Sequence, residues 1–242
     1  MLLRIALFVA MLIVGGSAQA QDVEPLPEMT LGAQDAPVTI IEYASMSCPH
    51  CAAFHTDVFP DLKTKYIDTG KVRFVFREFP LNTPAFQASV LARCAGPSRF
   101  FGFVDILFSE LQAWGAGPDP LSALAQIGRL GGISNEKFQS CLRDKRITDG
   151  ILKNRLTGEQ THKVASTPSF IVNGQTLVEV QDISQFEAVL EPLLQGKSPA
   201  QLSSPADEGS GLPEWAIVVI VVVVAGAAGA WIFIRRRDAS EA

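Results

Sequence analysis

The segment VTIIEYASMSCPHC, residues 38–51, contains an apolar, β-prone run followed by two cysteines one helical turn apart. Only Pro49 and His50 separate Cys48 from Cys51, and helix-favouring residues come next. A strand that leads into Cys-X-X-Cys at the start of a helix is the arrangement in which proteins present a redox-active dithiol. We therefore predict that Cys48 and Cys51 form a reversible disulfide, with Pro49 and His50 as part of the catalytic motif.

The position of each cysteine predicts its reactivity. Cys48 would lie at the helix N-terminus, where free N–H groups and the helix dipole stabilise an anion, so its pKa should fall. His50, if it lies near the sulfur, adds a hydrogen-bond donor or a positive charge that acts in the same direction. Cys51 lies one turn deeper and would act as the resolving thiol. A stabilised Cys48 thiolate stabilises the reduced form, so the disulfide form should be a strong oxidant.

The first twenty residues have the pattern of an export signal. Arg4 precedes the apolar stretch 5–14, and Ala18-Gln19-Ala20 fits a cleavage site of the A-x-A type. An uncleaved membrane anchor is the alternative, but the apolar stretch is short for a span and lacks a flanking stop-transfer charge. We therefore predict a signal peptide over residues 1–20.

A second apolar segment, near the C-terminus, predicts a membrane anchor. Residues 215–234 carry no charge and, at about 1.5 Å per residue, would cross the roughly 30 Å of a hydrocarbon core. Three arginines, 235–237, follow, and basic residues favour the cytoplasmic side, so residues 235–242 would form a cytoplasmic tail. Residues 198–214, rich in Pro, Ser and Gly, would be a flexible linker. A buried core helix is the alternative to the span, but this run is apolar on every face.

The composition fits one exported globular domain over residues 21–197. Of the 242 residues, 48% are hydrophobic, and the part between the two membrane segments is long enough for a sizeable core. The formal net charge is −5, which disfavours a nucleic-acid partner. We detect no internal repeat with a period of 20–50 residues.

The sequence has four cysteines, and in an oxidising compartment they allow three pairings. The motif cysteines are the obvious first pair. A structural disulfide between Cys94 and Cys141 is the favoured second pair, and it would stabilise the domain by about 2–4 kcal/mol. Two separate buried thiols and a second redox-active pair are the alternatives.

Hydrophobic periodicity predicts a βαβ unit, a helical block and a ββα unit. Residues 72–76 should form a strand parallel to 38–44, with a helix between them that is distorted at Pro60. The block from 84 to 163 should be helical. Its predicted helices are 85–94, 100–114, 120–130 and 135–156. The last unit is a hairpin, 169–172 and 176–178 around Asn173-Gly174, and a helix capped by Asp182 that ends near residue 194.

From residue 31 to residue 197 the chain is similar to DsbA-type thiol:disulfide oxidoreductases. The residues that carry the resemblance are the motif Cys48-Pro49-His50-Cys51, Glu42 on the preceding strand, the segment 70–81 and Thr167-Pro168. The resemblance implies an α/β protein with a thioredoxin-like fold and an inserted all-helical subdomain, here joined to a C-terminal single transmembrane helix.

The resemblance also implies a reaction, partners and a location. A substrate thiolate would attack Cys48, and the substrate's second thiol would then release the oxidised substrate from the mixed disulfide. The implied partners are reduced or unfolded exported proteins and a quinone-linked membrane oxidase that reoxidises the pair; no cofactor is implied, and a monomer is expected. The domain would lie in the periplasm, anchored to the inner membrane.

Thr167-Pro168 is the predicted substrate-binding element. In thioredoxin-like proteins a cis proline faces the dithiol, and the backbone of the residue before it pairs with an extended substrate segment. A trans proline in an ordinary turn is the alternative. Related oxidases often carry valine before this proline and isomerase-type relatives often carry threonine, so Thr167 departs from the oxidase pattern.

Glu42 resembles the acid that relatives place beneath the active site, where it can accept or return the Cys51 proton. A solvated glutamate on a half-exposed strand is the alternative. The lysine that often accompanies this acid has no counterpart here, since the next strand offers Phe74 at the expected position and Arg73 and Arg77 beside it.

Two other functions remain open at this stage. One is a disulfide reductase or isomerase, and the other is a membrane-tethered metal-binding protein that uses Cys48, Cys51 and His55. Three ligands at one helix start are a poor tetrahedral set, so we predict no metal site. His55 and His162 are predicted to lie at the surface or on helix sides.

Overall fold

A mixed sheet of five strands organises the part of the chain that the structure describes. The structure is a computed structural model and describes residues 26–178 and 182–197. The strands are β1 (Met29–Leu31), β2 (Val38–Ala44), β3 (Val72–Glu78), β4 (Ser169–Val172) and β5 (Gln175–Val178). Their order in the sheet is β1-β3-β2-β4-β5. Only β2 and β3 are parallel; the other neighbouring strands of this sheet are antiparallel.

The predicted βαβ unit is confirmed. β2 occupies the predicted residues and pairs in parallel with β3, which places Ile40 opposite Phe74 and Glu42 opposite Phe76. Every residue of β2 is buried or partly buried, because the strand is central and both faces of the sheet are covered. The motif at residues 48–51 therefore follows directly from an enclosed strand in the middle of the sheet.

A continuous helical segment connects β2 to β3. It comprises α1 (Pro49–Ala53), a π-helical turn (Phe54–Val58), α2 (Phe59–Leu62) and a second π-helical turn (Lys63–Ile67). The first of these wide turns lies directly before Pro60, where the sequence predicts a distortion. Proline has no N–H to donate to the preceding turn, and a π-helical turn is one way in which a helix accommodates the missing bond. The segment therefore continues past Pro60.

A block of helices is inserted between β3 and β4, as predicted. Its members are α3 (Thr83–Cys94), α4 (Pro97–Ser109), α5 (Leu111–Gly115), α6 (Pro120–Leu130), α7 (Asn135–Arg143) and α8 (Lys145–Thr161).

Two of the predicted helices are divided in the structure. The single helix expected over 135–156 was wrong, because α7 ends at Arg143 and Asp144 caps a new helix by accepting the N–H of Arg146 at 2.9 Å. The helix expected over 100–114 begins earlier, at Pro97, and is interrupted at Glu110. In both cases the hydrophobic periodicity continues across the break, so periodicity alone does not reveal it.

The C-terminal unit matches the predicted hairpin and helix. Asn173 and Gly174 both have positive φ, 44° and 90°, as a two-residue turn between antiparallel strands requires. α9 (Ile183–Leu194) begins at Asp182, whose side chain caps the helix reciprocally with Gln185. The sequence also contains the short edge strand β1, which we did not predict.

Cys94 and Cys141 form a disulfide within the inserted block, with Cα atoms 5.9 Å apart. The favoured pairing is therefore confirmed. The bridge joins residues 47 apart in sequence, and closing a loop of that length stabilises a folded chain by about 4 kcal/mol in the chain-entropy treatment. That the bridge is structural and not redox-active stays a prediction.

A buried ion pair fastens the inserted block to the end of β3. The Glu78 carboxylate accepts two hydrogen bonds from the Arg93 guanidinium of α3, one of them 2.8 Å from Nη2 to Oε2. It also accepts one from Asn154 of α8 at 2.8 Å. Arg93 in turn donates to the backbone carbonyl of Pro27 at 2.6 Å. Glu78 and Arg93 together thus connect β3, two inserted helices and the segment that precedes β1.

The predicted signal peptide 1–20, linker 198–214, membrane span 215–234 and tail 235–242 lie outside the described residues. Among the residues that are described, none of the helices has the length and apolar character needed to cross a bilayer.

Candidate active site

Cys48 caps the N-terminus of α1. Its backbone is extended, with φ −88° and ψ 119°, and Pro49 occupies the start of the helix. Proline suits this place because its φ is already helical and its missing N–H would have had no partner within the helix. The Cys48 carbonyl accepts the first helical hydrogen bond, from Ala52 N–H at 3.1 Å. The sulfur therefore faces the free N–H groups of the first turn, as the motif predicts.

The pKa of Cys48 is lowered from 9.0 to about 5. A hydrogen bond from the Cys51 thiol is the largest cause, partial burial opposes it, and the Thr167 side chain and the backbone N–H groups of Cys51 and His50 lower the pKa further. At pH 7 roughly 99% of such a thiol is ionised. His50 is exposed, and its backbone N–H is the group that acts on the sulfur.

Cys51 has the opposite character. It is fully buried, and burial is the main reason why the pKa of its thiol is raised well above 9.0. The hydrogen bond that Cys51 gives to Cys48 and the negative charge of Glu42 raise this pKa further. The pair therefore consists of one thiolate and one thiol at neutral pH, with the thiolate at the more exposed position.

Thr167-Pro168 faces Cys48 from the other end of the fold. The peptide bond between the two residues is cis, as expected. The Cys48 thiol donates to the Thr167 carbonyl at 3.2 Å. The Thr167 hydroxyl is buried and has no hydrogen-bond partner among the described residues. Once Cys48 ionises, its sulfur becomes an acceptor that this hydroxyl can serve, which agrees with the lowering of the Cys48 pKa by the Thr167 side chain.

The variant Thr167→Val tests this contribution. Valine has nearly the shape of threonine but no hydroxyl, so we expect the pKa of Cys48 to rise by about one, because a hydrogen bond to a charged group is worth roughly 1.5 kcal/mol. The ultraviolet absorbance of the thiolate, followed against pH, measures the change. An unchanged or lower Cys48 pKa in this variant would show that the hydroxyl does not serve the thiolate.

Glu42 lies beneath the dithiol and is paired with a residue that we did not predict. The carboxylate is fully buried, and its Oε2 is 2.9 Å from Nε2 of His55. His55 lies in the first π-helical turn, and its ring is stacked on Phe108 of α4 with centroids 4.5 Å apart. A buried hydrogen-bonded acid and imidazole next to a thiol of raised pKa can exchange a proton with it.

The predicted surroundings of Glu42 need two corrections. His55 is not at the surface: its side chain is only 2% exposed. The residue opposite Glu42 on β3 is Phe76 and not Phe74, because the register of the two strands differs by two residues from the expected one. The sequence contains a usable signal for His55, since it follows Cys51 by four residues and therefore lies on the same side of a helix.

His162 lies at the end of α8, where it is half-buried and its ring is 5.7 Å from that of Tyr43. Within 26–178 and 182–197, no three His, Cys, Asp or Glu side chains come together in a way that could hold a metal ion.

A dithiol at a helix start that faces a cis proline, on a central strand flanked by helices, defines the class of thioredoxin-like proteins. A family model described as thioredoxin matches residues 25–192. The chain belongs to this family, and its inserted helical block gives it the DsbA-like form of the fold.

Individual relatives agree with this assignment. The solved structure of alpha-DsbA1 from Wolbachia pipientis is 31% identical, with a TM-score of 0.66 over 71% of this chain and 94% of that one. Oxidised BdbD from Bacillus subtilis is 25% identical, with a TM-score of 0.60 over 70% and 94%. A Rickettsia bellii relative, provisionally named a protein-disulfide oxidoreductase, is 37% identical over 69% of this chain and 65% of its own length. This chain therefore spans less than two thirds of the Rickettsia relatives that it matches.

Proposed function

We propose that this protein is a thiol:disulfide oxidoreductase that introduces disulfide bonds into exported proteins through Cys48 and Cys51. The observation that carries the proposal is the difference between the two thiols: the pKa of Cys48 is about 5, whereas burial raises that of Cys51. A stabilised thiolate favours the reduced pair, and a pair that is easily reduced is an oxidant of other thiols.

In the proposed reaction a substrate thiolate attacks the Cys48 sulfur of the Cys48–Cys51 disulfide. The bond between the two sulfurs breaks, Cys51 leaves and takes up a proton, and a mixed disulfide joins the substrate to Cys48. The substrate's second thiolate then attacks its own sulfur in that bond and releases Cys48 as a thiolate. Two electrons pass from the substrate dithiol to the active-site pair. The Thr167 backbone would align the substrate as an added strand.

The proposed setting follows from the two ends of the sequence. The catalytic domain would lie in the periplasm, tethered to the inner membrane by residues 215–234, and would act as a monomer on reduced exported proteins. A quinone-linked membrane oxidase would reoxidise the pair. Relatives named for disulfide bond formation support the substrate class, and the tether and the reoxidation partner rest on the sequence and the resemblance.

The deciding experiment is the equilibrium reduction potential of Cys48 and Cys51 in the full-length chain, measured in glutathione buffers. A potential well above that of the glutathione couple supports the oxidase. The variant Cys94→Ser/Cys141→Ser, measured in parallel, separates the active-site pair from the second disulfide. A potential near that of thioredoxin would overturn the proposal in favour of a reductase or an isomerase, and isomerase-type relatives often carry a threonine before the cis proline, as Thr167 is here.

The low pKa of Cys48 also predicts a pH dependence of stability. Between about pH 9 and pH 5 the folded reduced protein binds fewer protons than the unfolded chain, so the thiolate stabilises the reduced protein fully above pH 9 and loses this effect as the pH falls through 5. The disulfide form has no such proton. Denaturant unfolding of the reduced and the disulfide forms should therefore show that the difference between their free energies of unfolding changes by a few kcal/mol over this range. Solvent screening of the partly exposed thiolate makes the change smaller. A difference that stays constant from pH 9 to pH 5 would contradict the assigned thiolate.

A further inference from the structure

Two buried polar atoms next to the dithiol have no role in the steps described so far. Glu42 Oε1 and His55 Nδ1 are both enclosed by protein, and neither has a hydrogen-bond partner among the described residues. An unsatisfied buried polar group costs roughly 1–3 kcal/mol, so two of them on one pair of residues call for a reason. The other polar atoms of these two side chains, Glu42 Oε2 and His55 Nε2, are 2.9 Å apart.

Cys51 is related to this pair by position and by charge. Cys51 and His55 are four residues apart on one helical segment and therefore lie on the same side of it, and His55 contacts Glu42 of β2 from there. The charge of Glu42 is among the causes that raise the pKa of the Cys51 thiol. Glu42 thus acts on the thiol that must gain a proton and contacts an imidazole that can supply one.

A surface groove borders the helical segment that carries His55. His55 contributes to the wall of a cavity of about 370 Å³ between the first helical segment and α4, together with Phe59, Lys63, Asp105 and Phe108. The titratable or charged groups that face the imidazole are Glu42 from β2, Asp105 from α4 and Lys63 from its own segment; β3 contributes the ring of Phe76. Partial burial raises the pKa of Asp105, and the charge of His55 lowers it.

We propose that His55 is the positioning and proton-transfer residue that connects Cys51, through Glu42, to solvent in this groove. The inference deepens the proposed redox function and rests on it. Three observations support this path: the charge of Glu42 acts on the Cys51 thiol, Glu42 Oε2 is 2.9 Å from His55 Nε2, and His55 contributes to the wall of the groove.

The path matters because Cys51 is a poor leaving group. Thiols of high pKa leave slowly, and the Cys51 pKa is raised, so breakage of the disulfide is accelerated when a proton reaches the sulfur as it leaves. The protonated His55 imidazole gives a proton to the Glu42 carboxylate, Glu42 passes it to the Cys51 sulfur, and the imidazole regains a proton from solvent in the groove. Reoxidation of the pair runs the same transfers backwards. Imidazole changes charge between about pH 5 and pH 8, so the path would make exchange pH-dependent in that range.

The test is the rate at which dithiothreitol reduces the Cys48–Cys51 disulfide of the full-length chain, measured by acid quench and alkylation. Each rate is divided by the concentration of the dithiothreitol thiolate, which removes the reagent's own titration. For wild type we expect a rate that falls by about tenfold across one inflection between roughly pH 5 and pH 8. A wild-type rate that is independent of pH in this range would overturn the inference without recourse to any variant.

Three variants assign the inflection. His55→Gln keeps a hydrogen-bond donor for Glu42 but cannot titrate, so its profile should be flat and about tenfold slower than wild type at pH 6. Asp105→Asn should shift the inflection to lower pH by roughly half a unit, because it removes one negative charge that acts on His55. His162→Gln is the matched control, since it removes an imidazole at the far end of α8 and should leave the profile unchanged. An inflection that persists in His55→Gln, or that disappears in His162→Gln, would overturn the assignment.

The two proposals fail separately. A thioredoxin-like reduction potential would overturn the proposed oxidase function. It would leave the inflection in the pH profile of the reduction rate in place, because Cys51 is the leaving group in any reduction of the pair. An oxidising potential together with a flat wild-type profile would keep the oxidase and reject the path. If His55→Gln does not fold, the wild-type and Asp105→Asn profiles still decide.

Discussion

Replacing Cys51 by alanine is expected to raise the pKa of Cys48 by one to two and to abolish dithiol oxidation. The hydrogen bond from the Cys51 thiol is the largest cause of the low Cys48 pKa, and a hydrogen bond to a charged group is worth roughly 1.5–3 kcal/mol. Serine at the same position keeps a hydroxyl that can donate to the thiolate, so Cys51→Ser should hold the Cys48 pKa near its wild-type value.

Both variants lack the resolving thiol, so the Cys48 thiolate of each should attack a disulfide of an oxidised protein, displace one of its sulfurs as a thiolate, and remain joined to the other as a mixed disulfide. Thiolate absorbance against pH gives the Cys48 pKa, and non-reducing electrophoresis after incubation with a disulfide-bonded protein gives the trapped species. Equal Cys48 pKa values in the alanine and serine variants would reject the role of the Cys51 hydrogen bond, whereas full turnover in either would reject Cys51 as the resolving thiol.

Replacing Arg93 by methionine is expected to lower the free energy of unfolding by about 3–5 kcal/mol. The Glu78 carboxylate is fully buried, and Arg93 supplies two of its hydrogen bonds. Methionine would leave this charge with only the Asn154 amide, and removing one partner of a buried ion pair costs that much because the other charge stays buried. For a domain of this size the melting temperature should fall by roughly 10 °C.

Arg73→Met is the matched control for Arg93→Met. Arg73 also pairs with a glutamate, Glu28, at 2.9 Å, but the Glu28 side chain is 42% exposed. An exposed pair contributes about 1 kcal/mol or less, so this variant should unfold within that margin of wild type. Urea unfolding of both variants with the Cys94–Cys141 bridge intact gives the comparison. Similar losses in the two variants would mean that burial does not set the strength of the Glu78 pair.

Patterns that act over a few residues predicted most of the fold. The apolar, β-branched run at residues 38–44 predicted a buried strand, which the structure contains. Asn173-Gly174 predicted a two-residue turn, and Asp182 predicted the start of a helix. The break at Asp144 was missed because aspartate also occurs inside helices, and only its contact with Arg146 N–H marks it as a cap. β1 was missed because three residues are too few to show alternation.

The active-site residues also differ in whether local sequence patterns could predict their roles. The chemistry of Cys48 follows from its place at a helix start, which is local information. The partner of Glu42 does not, because it depends on the register of β2 and β3 and on which side of a helix meets the sheet. The neighbouring strand has no counterpart of the lysine that often accompanies this acid in relatives, and the structure places His55 of the helical segment against Glu42.

The contact between Cys48 and the Thr167 carbonyl joins residues 119 apart, with the whole inserted helical block between them. A nascent chain that ends before residue 167 possesses both motif cysteines but not the surface against which the first of them is held. Such a chain could lower the Cys48 pKa only through Cys51 and the first turn of α1, and the contribution of Thr167 is added once the last two strands have joined the sheet. The complete surroundings of Cys48 therefore form only when the C-terminal part of the domain has folded.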